Sequence, residues 1–176
     1  MSRRVVTAAM AAMVTAAALV CGGPAQAGMS QKDLEVLGRA LSFTVNGPGG
    51  EVPAAVVFVP GNAESEAEKT AIMGLLGNGL KVGSITLKGT PVAVGDVTAT
   101  TARVWLVTTG AGSALGTAGA QAKAITASTD RSCAEAGNCV LAIETTPKVQ
   151  IFVSRKAADA AGVSFESAFL IMVKEL

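Results

Sequence analysis

Two short apolar runs constrain the fold of this chain most strongly. They lie within the segments 54–61 and 103–108, and neither run alternates with polar residues. Strands that are buried on both faces of a sheet have this unbroken apolar character, whereas half-exposed strands alternate. The two runs therefore predict central strands of a largely parallel sheet.

Helical patterns flank the first of these runs. Before it, Leu34, Leu37 and Leu41 recur at i, i+3 and i+7 and predict one amphipathic helix. After it, the S-x-x-E pattern of 65–68 resembles a capping box and predicts a second helix that ends near Gly77. The acidic side chains Glu64, Glu66 and Glu68 at this helix start are interpreted as solvated surface that interacts favourably with the helix dipole.

The rest of the chain continues the alternation of strands and helices. In chain order, the pattern predicts a half-exposed strand at 81–88, a loop or short edge strand at 91–101, a small-residue helix at 113–123, strands at 124–128, 140–144 and 148–153, a helix at 154–161 and an amphipathic helix at 165–176. The last two strands are close enough to form a hairpin. The predicted fold is an α/β three-layer sandwich, with a mostly parallel sheet, helices on both faces and an antiparallel C-terminal hairpin.

The first residues have the pattern of a secretory signal peptide. Arg3 and Arg4 precede an uncharged run from Val5 to Val20, and a cleavage pattern follows at Ala25–Ala27. We therefore expect Sec export to the periplasm, removal of 1–27, and a single mature domain at 28–176. The loss of the two arginines changes the formal net charge from +1 to −1.

Composition excludes several classes of function. The chain has no histidine and no tyrosine. It therefore lacks the commonest general base and metal ligand, and we predict no catalytic residues, no metal and no cofactor. The absence of a basic run disfavours nucleic acid as a partner. After 1–27, no stretch approaches the roughly 20 apolar residues of a transmembrane helix.

Cys133 and Cys139 form a C-x5-C pair in the loop before the predicted hairpin. A metal clip, a redox pair and a structural disulfide are the alternatives. Export to an oxidising compartment, the even number of cysteines and the missing histidines favour the structural disulfide.

A glycine-rich turn follows the second apolar run. Gly110, Gly112, Ser113 and Gly116 fall in a G-x-G-x-x-x-G pattern, and Asp130 lies about 20 residues further on, as in a dinucleotide fingerprint. The spacing departs from that fingerprint, so an ordinary turn between strand and helix is favoured. As an alternative function, the turn offers backbone amides to a small anion or nucleotide.

The C-terminal segment is the candidate surface for a protein partner. It is rich in large apolar side chains, from which we select Phe165, Phe169, Leu170 and Met172. Most of such a stripe packs on the sheet in any α/β protein, and the remainder is available for contact.

The residues from 132 to 176 resemble the C-terminal block of the YfiR family of periplasmic proteins. The resemblance rests on Ala157–Gly162 (AADAAG) and Ser167–Met172 (SAFLIM), which match in order and spacing. It implies a three-layer α/β domain, often dimeric, with a disulfide in the loop that holds Cys133 and Cys139. In the family, a second cysteine pair lies upstream where this chain has none, and an aromatic Trp-Pro segment occupies the place of 43–46.

The resemblance also implies a function. Family members bind the periplasmic sensor region of an inner-membrane diguanylate cyclase and repress it, which limits cyclic-di-GMP synthesis and biofilm formation. We therefore expect a non-catalytic regulator whose partner is a membrane-bound diguanylate cyclase or another periplasmic receptor domain, with a homodimer as a further possibility.

Overall fold

One mixed sheet of eight strands organises the protein. The computed structural model describes residues 28–176, so the signal-peptide prediction for 1–27 lies outside the described residues. The strands are β1 Gly50–Phe58, β2 Leu80–Val82, β3 Ile85–Ala93, β4 Val104–Val107, β5 Ile125–Ser128, β6 Leu141–Glu144, β7 Gln150–Val153 and β8 Lys174–Glu175. Their spatial order is β2-β3-β1-β4-β5-β6-β7-β8.

The pairing within the sheet is mostly parallel. Strands β3, β1, β4, β5 and β6 run parallel to one another, and β8 runs parallel to β7. Antiparallel pairs occur towards both ends, between β2 and β3 and between β6 and β7. The register sets Val56 of β1 opposite Leu106 of β4, so the two apolar runs pair directly. The predicted parallel sheet and its C-terminal hairpin are confirmed.

Seven helices cover the two faces of the sheet within residues 28–176. They are α1 Gln31–Leu41, α2 Ala63–Leu76, α3 Ala111–Leu115, α4 Ala118–Gln121, α5 Arg131–Glu135, α6 Arg155–Ala161 and α7 Ser167–Leu170, and a 3₁₀ helix spans Val94–Ala99. None of the helices in this part of the chain has the length and hydropathy needed to cross a membrane.

Successive residues of the central strands point into two separate cores. On β1, Val56 contributes to a core with α1, α2 and α6, whereas Val57 contributes to a core with α3 and the 3₁₀ helix. On β4, Trp105 belongs to the second core, is fully buried, and donates its indole N–H to Ala102 O at 2.8 Å. Both faces of the sheet are therefore covered, as the three-layer prediction requires.

The start of α2 differs from the prediction. The N-cap is Asn62, whose side chain accepts a hydrogen bond from Ser65 N, so the helix begins before the S-x-x-E pattern. Ser65 and Glu68 are buried and accept hydrogen bonds from residues just after β1 and β4 instead of forming a capping box. A capping box does form on α1, between Ser30 and Asp33.

Two further segments are divided where the sequence predicted continuity. The predicted strand at 81–88 is a hairpin of β2 and β3 that turns at Gly83, whose φ of 58° suits glycine. The strand β3 then continues to Ala93, into the segment predicted as a loop or short edge strand, and the 3₁₀ helix follows. The predicted helix at 113–123 is interrupted at Gly116, with φ of 53°, and forms α3 and α4.

The predicted C-terminal helix is wrong. Only α7 is helical, while Phe165 pairs with Thr44 as an isolated bridge and β8 extends the sheet beside β7. The edge of β7 offers the last residues a row of backbone partners, and the hydrogen bond from Leu176 N to Val153 O (2.9 Å) uses one of them. Pairing with the edge of the sheet therefore prevails over the helical spacing of the apolar residues in this segment.

Candidate functional site

In a sheet of this topology, the carboxyl ends of β1 and β4 are the expected position of a ligand site. Strand β3 pairs with one edge of β1, and the chain then crosses over so that β4 pairs with the opposite edge of β1. Open α/β sheets bind ligands at the carboxyl ends of the two strands where the order reverses in this way.

Polar groups of α2 fill this position. Ser65 Oγ accepts a hydrogen bond from Val59 N at 2.9 Å and lies 2.7 Å from Thr108 Oγ1. Thr108 Oγ1 in turn donates to Val57 O at 2.9 Å. Because one hydroxyl must donate to the other, this chain of bonds satisfies both hydroxyl groups without a ligand.

Glu68 completes the same arrangement. One carboxylate oxygen accepts a hydrogen bond from Met29 N at 3.0 Å, and the other accepts one from Thr109 N at 2.7 Å. The residue is only 6% exposed. The interpretation of this carboxylate as solvated surface was therefore wrong. The burial of Glu68 could have been predicted from its spacing, because Glu68 precedes Ile72 by four residues and lies on the same buried face of the helix.

The glycine-rich turn has a packing role. A Cβ on Gly112 would lie 2.6 Å from Cys133 Sγ, so the absence of a side chain lets α3 approach the cysteines. Gly110 caps α3 with φ of 78°, and Gly116 ends it after five residues, while Ser113 is exposed. Asp130 caps α5 by accepting from Ser132 N at 2.9 Å. The fingerprint-like pattern therefore reflects close packing and capping.

Cys133 and Cys139 form a disulfide, as predicted. Their Cα atoms are 5.2 Å apart, and the two residues are 3% and 0% exposed. The bond joins α5 to Cys139, two residues before the start of β6, and Cys139 N also donates to Cys133 O at 3.0 Å. Both sulfur atoms are covered by the second core. The cysteines therefore stabilise the loop.

The four predicted partner-binding residues separate into two groups. Phe169 is 2% exposed and belongs to the first core, and Phe165 and Leu170 are partly buried against that core. Met172 is 65% exposed, and its neighbour Ile171 is 86% exposed. The prediction of Phe169 as a surface contact is corrected, since its ring lies inside the protein.

The exposed pair Ile171 and Met172 is held in place from both sides. On one side, the Phe169 ring lies 5.4 Å from the ring of Phe43. On the other side, β8 pairs with β7, and the exposed side chain of Arg155 pairs with Glu175 of β8. The hydrogen bond to the Glu175 carboxylate raises the pKa of Arg155 above its ordinary value. The apolar pair is thus presented by an anchored segment.

No cluster of three or more histidine, cysteine or acidic side chains that would suit a metal ion occurs within 28–176.

Comparisons with known proteins define the class of fold. No family model matches the chain, and no curated protein matches it. A solved structure described as a conserved domain protein from Vibrio cholerae is similar, with a TM-score of 0.50 and 16% identity over 82% of this chain. The chain spans 59% of that protein. At this identity the likeness concerns the fold, which is a mixed-sheet α/β sandwich.

Proposed function

We propose that this chain is an exported, non-catalytic regulator that binds and represses the periplasmic sensor region of an inner-membrane diguanylate cyclase. The resemblance of 132–176 to the YfiR family supplies the identity of the partner. The observation that carries the proposal is the exposed pair Ile171 and Met172 on an anchored segment. Large apolar side chains that remain exposed together are typical of a surface that a partner covers.

The surroundings of this pair support a protein partner. One residue, Val173, separates the pair from β8, which is the last strand in the order of the sheet and is exposed. The outer edge of a terminal strand presents unpaired backbone groups to a neighbouring chain. An apolar contact beside such an edge combines burial of side chains with backbone hydrogen bonding, which is a common mode of protein recognition.

The polar groups at the carboxyl edge support a function without catalysis. The position at which α/β enzymes hold their substrates is occupied here by Ser65, Thr108 and Glu68, which are bonded to one another or to backbone. In this proposal the protein needs no cofactor. It represses the cyclase by binding its inactive arrangement more tightly than its active one, because only such a difference in affinity shifts the equilibrium.

The test is a binding measurement with the mature protein and the purified periplasmic domain of a diguanylate cyclase from the same organism. The double variant Ile171→Ser/Met172→Ser removes the exposed apolar pair. Val149→Ser is the matched control, since Val149 is 48% exposed in the turn between β6 and β7.

We expect the wild type and the control to bind equally and the double variant to bind at least about tenfold more weakly, as for the loss of central interface residues. Equal binding by all three proteins, with unchanged circular dichroism, would overturn the role of the pair. Light scattering of the protein alone, in the same experiment, reports whether it forms a homodimer.

A further inference from the structure

A cleft lies at the amino ends of the parallel strands, opposite the carboxyl edge where Ser65, Thr108 and Glu68 lie. The cleft, of about 310 Å³, opens where β4 and β5 begin. Its walls are the loop 44–48 after α1, the segment 161–164 at the end of α6, and residues Arg103, Lys123 and Ile125. Its volume is at the lower end of the range for small-molecule sites.

Both charged residues that line the cleft are basic. Arg103 and Lys123 stand just before β4 and β5, and Ile125 N donates to Arg103 O at 2.8 Å, so the two basic residues lie where adjacent strands begin, and both line the cleft. Neither residue forms an ion pair with a carboxylate of 28–176. The cleft therefore presents two positive charges with no acidic group in its lining.

Two residues that line the cleft have an uncommon, left-handed backbone conformation. Asn46 has φ of 57° and Lys123 has φ of 52°. They are the two non-glycine residues with positive φ in the described part of the chain, and both line this cleft. Asparagine tolerates this conformation, whereas lysine rarely adopts it. Such backbone is concentrated at binding sites, where the surrounding structure holds a particular side chain in position.

We propose that this cleft binds a small organic or inorganic anion, whose carboxylate or phosphate group lies between the guanidinium of Arg103 and the ammonium of Lys123. The planar guanidinium donates two parallel hydrogen bonds to such a group, and the ammonium adds a compact positive charge. Asn46 and Ser164 supply neutral polar groups at the rim. The site is separate from the Gly110–Gly116 turn, which follows the carboxyl end of β4.

The test is calorimetric titration of the mature protein at low ionic strength, with succinate in one series and inorganic phosphate in the other. The two series distinguish a carboxylate ligand from a phosphate ligand. Lys123→Asn removes one charge and keeps a residue that tolerates positive φ, so this variant is expected to fold. Arg103→Gln removes the other charge, and Lys81→Gln is the control because Lys81 is exposed on β2, at the far edge of the sheet.

We expect saturable binding of at least one anion, weakened about tenfold or more by Lys123→Asn and by Arg103→Gln and unchanged by Lys81→Gln. Added sodium chloride should also weaken the binding. Two results would overturn the proposal: no saturable heat with either anion up to about 10 mM, or equal weakening by the control. Neither result bears on the contact between Met172 and a protein partner, because that surface is tested by other variants.

Discussion

Glu68 closes the carboxyl edge of the sheet, and its removal should destabilise the protein strongly. Glu68→Ala eliminates the hydrogen bonds from Met29 N (3.0 Å) and Thr109 N (2.7 Å). A hydrogen bond to a charged group contributes about 1.5–3 kcal/mol, and Met29 is only 2% exposed, so its amide has little access to water in compensation. We expect the free energy of unfolding to fall by about 3 kcal/mol, and Tm by about 10 °C for a domain of this size.

Urea denaturation followed by fluorescence measures this loss. Trp105 is the only tryptophan of the chain and is fully buried, so its emission reports the exposure of the second core. Glu68→Gln keeps one carbonyl oxygen as an acceptor, and about half of the loss is therefore expected.

Glu64→Ala is the matched control for Glu68→Ala. Glu64 lies in the first turn of the same helix but is exposed, so only its interaction with the helix dipole is lost, about 0.3–1 kcal/mol. If Glu68→Ala destabilises the protein no more than this control does, the carboxylate does not hold the two amides, and our account of the closed edge is refuted.

Three other changes are tested by the same denaturation experiment. Gly112→Ala places a methyl group against Cys133 Sγ and should cost about 1–3 kcal/mol; no loss would show that α3 moves aside freely. Replacing Cys133 and Cys139 together by alanine opens a short loop and should cost about 2 kcal/mol, while partner binding is retained; lost binding in a folded variant would assign the disulfide a direct role. Lys123→Gly relieves a positive φ and should stabilise by up to about 1 kcal/mol; a net destabilisation would contradict the strain.

The central sheet could be predicted because its signal is local. Val56 and Leu106 lie in runs that are apolar at every position, which is typical of strands covered on both faces. The disulfide was equally accessible, because two cysteines remain outside the predicted signal peptide. Gly162 ends α6 with φ of 66°, as a glycine after a short helix predicts.

The features that the sequence did not predict have a common physical cause, which is contact between residues distant in the sequence. The apolar spacing around Phe169 fits a helix, yet the segment instead satisfies its backbone on Thr44 and on β7, and no local pattern reveals that free edge. Glu68 carries a charge that normally indicates the surface, but two backbone amides from distant segments compensate its burial. The basic cleft was also not predicted, because Arg103 and Lys123 line one cleft only as a result of the pairing of β4 with β5.

The level of cyclic-di-GMP in cells tests the proposed repression most directly. We predict that deletion of the gene raises this level, and that the wild type and Val149→Ser restore it. The double variant Ile171→Ser/Met172→Ser, expressed at the same level, should fail to restore it, because the exposed apolar pair carries the proposed contact. An unchanged or lowered cyclic-di-GMP level after deletion would contradict repression of a diguanylate cyclase by this protein.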